Sequence, residues 1–541
     1  MYNPGIDQLG LGVSASRDSR VTKMLTRVRE HATFANSVGF LGSVFALFCL
    51  LLLPSANYWN IRLPLYLVLV IWTLLCPRVA LYLLPIAIPW GSLDTINIGN
   101  LNVSSTDILV ILLIASWLGS FVLRSQGLQR SGPLDQEESP LPRYLVASSV
   151  ALLFAMVISA ATAHSINASI KDLIKWIEFL AVLMLGARYL RTRNQVWTLV
   201  VIMCLAGISQ AFYGYAQNFL NLGPQSFIRD GGLRVYGTFN QPNPYAGYIN
   251  MSLPIALSLT LLGRNWATRI LAGIAAISLG VAEYLTKSNG GEIAITIAVL
   301  FIFVIGFPQL RKLAAVGAVG TLVLIATLLA GVIPQRFTLP LLSKLGLIAI
   351  SFKFPSAQDF STAERLAHWI AGINMFEDHP FTGVGIGNYG AAYGPYHVTI
   401  FVNSLDHAHN YYINISAETG IIGLTTFILL LVALFVAAGH AYRTLSKKYL
   451  QLKAQRATPK AGLSKFEMSH SSNMLGIITN DRALAIGLIA SLLGVCVHNL
   501  VDNLYVHGMT ILFALLIIAL IRLAGVTWKP SVMEDNIFEN R

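Results

Sequence analysis

Charge is scarce in this sequence. Of its 541 residues only 11% are Asp, Glu, Lys or Arg, against roughly 25% in a soluble globular chain. Cysteine is rarer still. The four (Cys49, Cys76, Cys204, Cys496) lie in or beside apolar runs with no CxxC or CxxC…HxxxH spacing. That leaves them as packing residues and excludes a disulfide framework or a zinc module. The chain also lacks a phosphate-cradling P-loop and a DxD-type carboxylate pair for a metal-bound nucleotide. Apolar residues are what it has: 55% are hydrophobic and the mean hydropathy is +0.64. They recur in runs of roughly 17 to 25, the length that crosses a bilayer as a helix. The composition therefore reads as an all-α polytopic membrane protein and excludes soluble, disordered and collagen-like classes.

Taking the apolar runs as spans predicts about 12–14 transmembrane helices, near 38–53, 63–76, 79–90, 107–123, 144–163, 170–187, 195–219, 243–263, 270–286, 292–307, 313–332, 410–438, 483–497 and 508–525. A tail 1–37 with Arg17, Arg20, Lys23, Arg27 and Arg29 precedes them, and 526–541 follows. No small-residue cleavage site follows the first run, which reads as a retained span. With 1–37 cytoplasmic, 27 of the 37 Lys and Arg fall inside and 10 outside. Every short inner turn then obeys the positive-inside rule: Arg78, Arg188/Arg191/Arg193, Arg264/Arg269 and Arg311/Lys312, followed by the Lys-rich stretch 443–465. The net charge of +12 is thus a topology signal with lipid headgroups as a minor partner, and no nucleic-acid-binding signature accompanies it. The polar stretches 124–143 and 439–482 read as cytoplasmic surface loops. No solenoid-type repeat is visible.

Two outward loops exceed what a chain reversal needs: 220–242 between the first eleven spans (38–332), and 333–409 before the last three (410–525). The first is rich in Gly, Pro and Asn and carries Arg229 and Arg234; its GTFNQPNP run directly before a span suggests a structured re-entry, with Asn240 and Asn243 satisfying backbone groups. An ordinary turn with an interfacial arginine is the alternative. In the second, STAERLAHWIAGINMFEDHP has a capping-box start (Ser361, Glu364) and apolar residues at Leu366, Ile370, Ile373 and Phe376, an amphipathic helix able to lie on the outer leaflet. Arg365 in its first turn opposes the helix dipole, which points either to a bound phosphate or carboxylate or to pairing with Glu364 or Asp359. FTGVGIGNYG places Gly385, Gly387 and Gly390 at GxGxxG spacing, but without a preceding strand or βαβ unit it reads as a tight turn.

The loop ends in LDHAHNYYINISAETGIIG. Asp406 can cap the next span, which would place His407 and His409 in its first turn, neutral and able to accept a proton; polar caps at the interface are the alternative. His498 and Asp502 share a helix face near the outer end of the thirteenth span, with His507 beyond. Glu283, Glu292 and Glu418 lie within apolar spans, where a carboxylate signals a polar cavity or a partner. HAH could be half of a metal site, but no third ligand sits at fixed spacing and no metal is expected. Arginines and histidines facing outward without a metal suggest a substrate that brings its own negative charge, which arginine's fork grips bidentately.

RVYGTFNQPNPYAGY (234–248), ERLAHWIAGINMFEDHPFTGVGIGNYG (364–390) and HAHNYYINISAETGIIGL (407–424) resemble three successive motifs of the O-antigen ligase and polymerase superfamily, bacterial membrane glycosyltransferases with a GT-C-like helical fold. The resemblance covers about 230–440, continues in HNLVDNLYVHGM (498–509), and over the first 220 residues is one of hydropathy pattern alone. It implies an undecaprenyl-diphosphate-linked glycan donor, a glycan or lipid-core acceptor, no metal or other cofactor, and a catalytic loop on the periplasmic face of the inner membrane. By resemblance Arg234 and Arg365 match diphosphate-binding arginines. His409, followed by Asn410, matches the base that activates the acceptor hydroxyl, with His407 as the alternate, and Asn243, Asn410, Glu418, His498 and Asp502 support them. The turn after the ninth span departs from the pattern: the usual Ser-Arg-Gly is Ser288-Asn289-Gly290 here. Lys287 is the nearest replacement cation, although an ammonium cannot reproduce a bidentate fork. A polymerase shares these motifs; a protein O-glycosyltransferase and a bicarbonate-type transporter, with Glu283, Glu292 and Glu418 as relay, are further readings.

Overall fold

The structure is a computed structural model and describes residues 42–56, 58–98, 101–126, 141–229, 231–329, 352–353, 360–457 and 465–525. The expected tails 1–37 and 526–541, most of 124–143, and the first part of the 333–409 loop lie outside the described residues. Lipid offers no partner to a backbone N–H or C=O, so apolar segments must be helical, and they are. In chain order they are α1 Gly42–Ser55, α2 Trp59–Leu75, α3 Pro77–Trp90, α4 Ser105–Ser125, α5 Arg143–Ser159, α6 Ile166–Tyr189, α7 Arg193–Phe219, α8 Pro242–Leu262, α9 Trp266–Thr286, α10 Asn289–Gly306 and α11 Arg311–Leu329. The long loop 333–409 contributes α12 Phe360–Asp378, and α13 Tyr411–Ala457, α14 Lys465–His498 and α15 Met509–Gly525 complete the bundle. Two small antiparallel hairpins that the sequence pattern did not announce join them: β1 Thr95–Ile98 with β2 Leu101–Ser104, and β3 Ile228–Arg229 with β4 Gly232–Leu233.

Eight helices among the described residues are long and apolar enough to cross a membrane. Large apolar side chains such as Leu75, Phe154 and Ile277, 68%, 66% and 70% exposed, point away from the protein, a surface suited to lipid rather than water. The chain is a multi-pass helical membrane protein. Its centre is α8, α14 and α15, which are buried on most sides.

Polar groups gather at the middle of α14 and at its C-terminal end. At the middle, Asp481 pairs with Arg193 at 2.6 Å and accepts the Trp197 indole N–H at 2.7 Å, while Asn480 accepts the Arg264 main-chain N–H at 2.7 Å. Seventeen residues later the helix ends at His498, about 25 Å away at the helical rise and comparable with a hydrocarbon core of roughly 30 Å.

Two expectations about the C-terminal helices change. The span predicted at 410–438 is broken at Gly420 (φ 62°, ψ −162°), where the main chain of 380–382 passes so close that a Cβ at Gly420 would lie 2.3 Å from Phe381 and the Ile421 N–H bonds Pro380 O at 2.8 Å. The stretch 439–482 is largely helix rather than loop: α13 continues to Ala457 and α14 starts at Lys465, because LSKKYLQLKAQRA is composed mainly of strong helix formers.

FTGVGIGNYG is a turn, as expected, and its glycines are needed for contact. Gly383 and Gly385 have φ of 68° and 103°, and Cβ atoms there would lie 2.2 Å from the Glu418 backbone and 2.5 Å from Ala163 Cα. Glu418 binds this turn from above: its carboxylate accepts the Tyr389 N–H at 3.1 Å and its carbonyl accepts the Gly385 N–H at 3.0 Å and the Ser159 hydroxyl at 2.6 Å. Overpacking and a left-handed non-glycine residue together cost about 2–5 kcal/mol. Gly383→Ala should therefore melt well below the wild type in detergent, whereas Gly394→Ala, with nothing within 4 Å, should not; equal melting points would contradict this packing.

Candidate active site

The cluster at the His498 end of α14 is assembled from four chain segments. The first is the loop before α8, drawn into the bundle by glutamines of α7. Gln217 Oε1 accepts the N–H groups of Tyr236 and Gly237 at 3.1 and 2.9 Å, and Gln210 Oε1 accepts that of Thr238 at 3.2 Å. These glutamines, rather than Asn240 and Asn243, satisfy the loop backbone. Asn243 instead lies in the first turn of α8, where its Oδ1 accepts from the Arg234 guanidinium at 2.9 Å and from the Ser288 hydroxyl at 3.0 Å. Arg234 Nε donates to Thr286 O at 2.9 Å, so the guanidinium is held by neutral acceptors alone in these contacts. Burial, then the like charges of Arg229 and Arg365, pull its pKa down to about 10, with Asp502 opposing them. Arg229, Arg365 and Asp502 thus lie near enough for their charges to act on it. Lys287 turns away from it: Nζ donates to the carbonyls of Arg229 and Gly232 and ties down the β3–β4 hairpin.

The second segment is α12. Its first described residue is Phe360, so Ser361 and Glu364 lie inside the helix rather than forming a capping box, and Arg365 falls in the second turn. The buried face consists of Ala363, Ala367, His368, Ala371, Gly372 and Met375. Ile370 and Ile373 of the expected apolar stripe are exposed, as a face able to lie on a leaflet must be, while the small residues of the opposite face let α12 approach Ala408 and Ile413 closely. Arg365 contacts Ser361 Oγ at 3.1 Å, and its Nε is buried with no hydrogen-bond partner among the described residues.

The third is the HAHN turn. Asn410, not Asp406, caps α13: its Oδ1 accepts the N–H groups of Tyr412 and Ile413 at 3.0 and 3.2 Å. Both histidines therefore precede the helix, and His409 adopts a left-handed conformation (φ 52°). His407 Nδ1 accepts the His409 main-chain N–H at 3.1 Å, Ala408 N–H bonds Asn414 Oδ1 at 3.0 Å, and the Trp369 indole donates to His409 O at 3.3 Å. The result is a rigid turn that presents the His409 ring.

The fourth is the loop after α14. The Tyr411 N–H bonds the carbonyls of Asn499 and Asp502 at 2.8 and 3.1 Å, which brings Asp502 Oδ1 to 3.5 Å from His409 Nδ1. Burial alone would raise the Asp502 pKa. Its contact with His409 and the surrounding His409, His407 and His498 rings hold it well below the usual carboxylate range. His368, which sequence reasoning missed, lies 5.7 Å ring to ring from His409 and stacks on Tyr393 at 4.8 Å. Burial and then the neighbouring histidines push His368 and His407 down to about 4, so both are neutral near pH 7. The signal for His368 was available: it sits among alanines at helical spacing within ERLAHW. His498 is fully buried and rests on the first turn of α10, where a Cβ at Gly290 would lie 2.9 Å from its Nε2.

Both ring nitrogens of His409 and His498, His368 Nε2 and Arg365 Nε are buried without hydrogen-bond partners among the described residues. Such a concentration of orphaned polar atoms marks a site built for something else to bind. The missing third partner of HAH is Asp502: one ligand atom each from His407, His409 and Asp502 fall within 4.8 Å of one another. Glu283 and Glu418 are buried but engaged by local partners, Asn250 Nδ2 at 3.0 Å and the Tyr389 N–H. Glu292 lies in the first turn of the α10 span and is exposed there, where the helix dipole favours it.

A multi-pass helical bundle carrying two arginines and a histidine–carboxylate pair at one end defines a membrane protein equipped to bind an anion beside a proton acceptor. Residues 273–428 match the family model of the O-antigen ligase domain, which supports a membrane glycan-processing enzyme of the O-antigen ligase superfamily. The matched residues include Lys287, Arg365, His407, His409, Asn410 and Glu418, whereas Arg234, Asn243, His498 and Asp502 lie outside them and reach the site through the fold. No curated protein matches the chain.

Proposed function

We propose that the protein is an inverting, metal-independent membrane glycosyltransferase. It moves a glycan from an undecaprenyl-diphosphate carrier to an acceptor hydroxyl at the periplasmic face of the bacterial inner membrane. The observation that carries this reading is the gathering of Arg234 and Arg365 around the His409–Asp502 pair. With Nδ1 directed at Asp502, His409 offers Nε2 to the acceptor. It takes the hydroxyl proton as that oxygen attacks the anomeric carbon, and the carbon–oxygen bond to the diphosphate breaks with its electron pair on the leaving oxygen. Arg234 and Arg365 stabilise that charge; the proton then passes from His409 to water. His407 is the weaker candidate for base, since its Nδ1 already accepts a main-chain N–H. The separate local partners of Glu283 and Glu418 give a transport relay no support.

The test is transfer by the full-length protein in proteoliposomes, supplied with purified lipid-linked donor. Release of undecaprenyl diphosphate with glycan on a lipid core marks a ligase, and a lengthening glycan on the carrier marks a polymerase. Turnover should persist after chelator treatment. Loss that returns with added zinc or magnesium would instead make His407, His409 and Asp502 metal ligands.

A further inference from the structure

A cleft of about 550 Å³ lies between α4, α5 and α6 at the opposite end of the bundle from the histidines. Ile177 and Met184 on its α6 wall are each 49% exposed, so it opens sideways onto the lipid-facing surface, and Trp117 of α4 lies across it. From Ile177 to Arg188 the wall runs eleven residues, about 16 Å at the helical rise, which is half of a hydrocarbon core of roughly 30 Å. The cleft ends at three arginines: Arg188 in the last turn of α6, Arg191 just beyond, and Arg522 from α15. Main-chain carbonyls fix two of them there. Arg191 Nε donates to Arg188 O at 2.8 Å and Arg522 Nε to Leu190 O at 2.6 Å. Among the described residues that line the cleft none is acidic.

Topology alone accounts for arginines at the inner ends of helices, but a topological arginine snorkels outward to headgroups. Arg522 is 5% exposed and directed at the same cleft as two arginines more than 300 positions earlier. An apolar slot half a membrane long, open to lipid and closed by guanidiniums, has the complementarity of one molecule: an acyl chain carrying a phosphate. We infer that this cleft binds an anionic phospholipid of the cytoplasmic leaflet, its chain along α6 and its headgroup at Arg188, Arg191 and Arg522. The site stands apart from the transfer chemistry at the other face and does not depend on it.

Native mass spectrometry of the detergent-purified full-length protein tests this with phosphatidylglycerol and phosphatidylcholine of identical chains. Phosphatidylglycerol should be retained about tenfold more, and the R188Q/R191Q double variant should lose that preference while still carrying phosphatidylcholine at the wild-type level. Ala181→Trp, which fills the cleft without touching charge, should expel the lipid and serves if the double variant does not fold. Brominated phosphatidylglycerol should quench a component of fluorescence that Trp117→Phe removes. Equal retention of the two lipids, unchanged retention in both variants, or displacement by inorganic phosphate alone would overturn the inference.

Discussion

Replacing His409 by alanine should leave a folded, membrane-inserted protein that transfers glycan about 10²- to 10⁴-fold more slowly, the usual worth of a general base. The turn that carries the ring is built from main-chain and neighbour contacts, namely the His407 acceptor, the Asn410 cap and the Asn414 and Trp369 bonds. Removing the His409 side chain breaks none of them. Asp502→Asn keeps the shape but removes the charge opposite Nδ1, and should cost about 10² by disfavouring the tautomer that exposes Nε2 and the imidazolium that forms. It should also change the pH dependence of turnover, which a purely structural role would not. His407→Gln, which preserves an acceptor for the His409 N–H, should be mild. Wild-type rates in His409→Ala together with loss in His407→Gln would transfer the role of base to His407.

The second large effect is expected at Arg365. Arg234 is bound into the fold through Thr286 and Asn243, so its removal also disturbs the junction of α8, α9 and α10. Among the described residues Arg365 hydrogen-bonds only the Ser361 hydroxyl, which makes it the cleaner probe. Arg365→Ala should lower turnover about 10²- to 10³-fold, as expected for a preorganised charge facing a leaving group. Arg365→Lys should restore little, because an ammonium offers a point charge in place of a fork. If the diphosphate is already gripped in the ground state, KM rises as kcat falls; a change in kcat alone would place the contact in the transition state. Unimpaired transfer by purified Arg365→Ala would remove it from the site.

Much of this was readable from hydropathy and charge. The apolar runs fall on helices, and the outward motifs contain Arg234, Arg365, His409 and Asp502, which the fold gathers. What could not be read was any relation between distant segments. Asp502 becomes the partner of His409 only because the Tyr411 N–H binds the carbonyls at 499 and 502. The cap went to Asn410 rather than Asp406 because both His407 and His409 are needed outside the helix to close the turn. The expected stripe of α12 is exposed at Ile370 and Ile373, but its protein-packed face could not be read, because close helix approach here selects alanine and glycine. The break at Gly420 was invisible because GIIGL continues an apolar run; only the chain passing through it at 380–382 reveals it.

Charge is held differently at the middle of α14 and at its His498 end. At the middle, Arg193 is paired with Asp481 at 2.6 Å. At the His498 end, Arg365 acts on Arg234 as a like charge, with Asp502 opposing it. Under the proposed reaction the lipid-linked anion searches for that end within a plane rather than a volume, and its rate of arrival should fall as ionic strength rises.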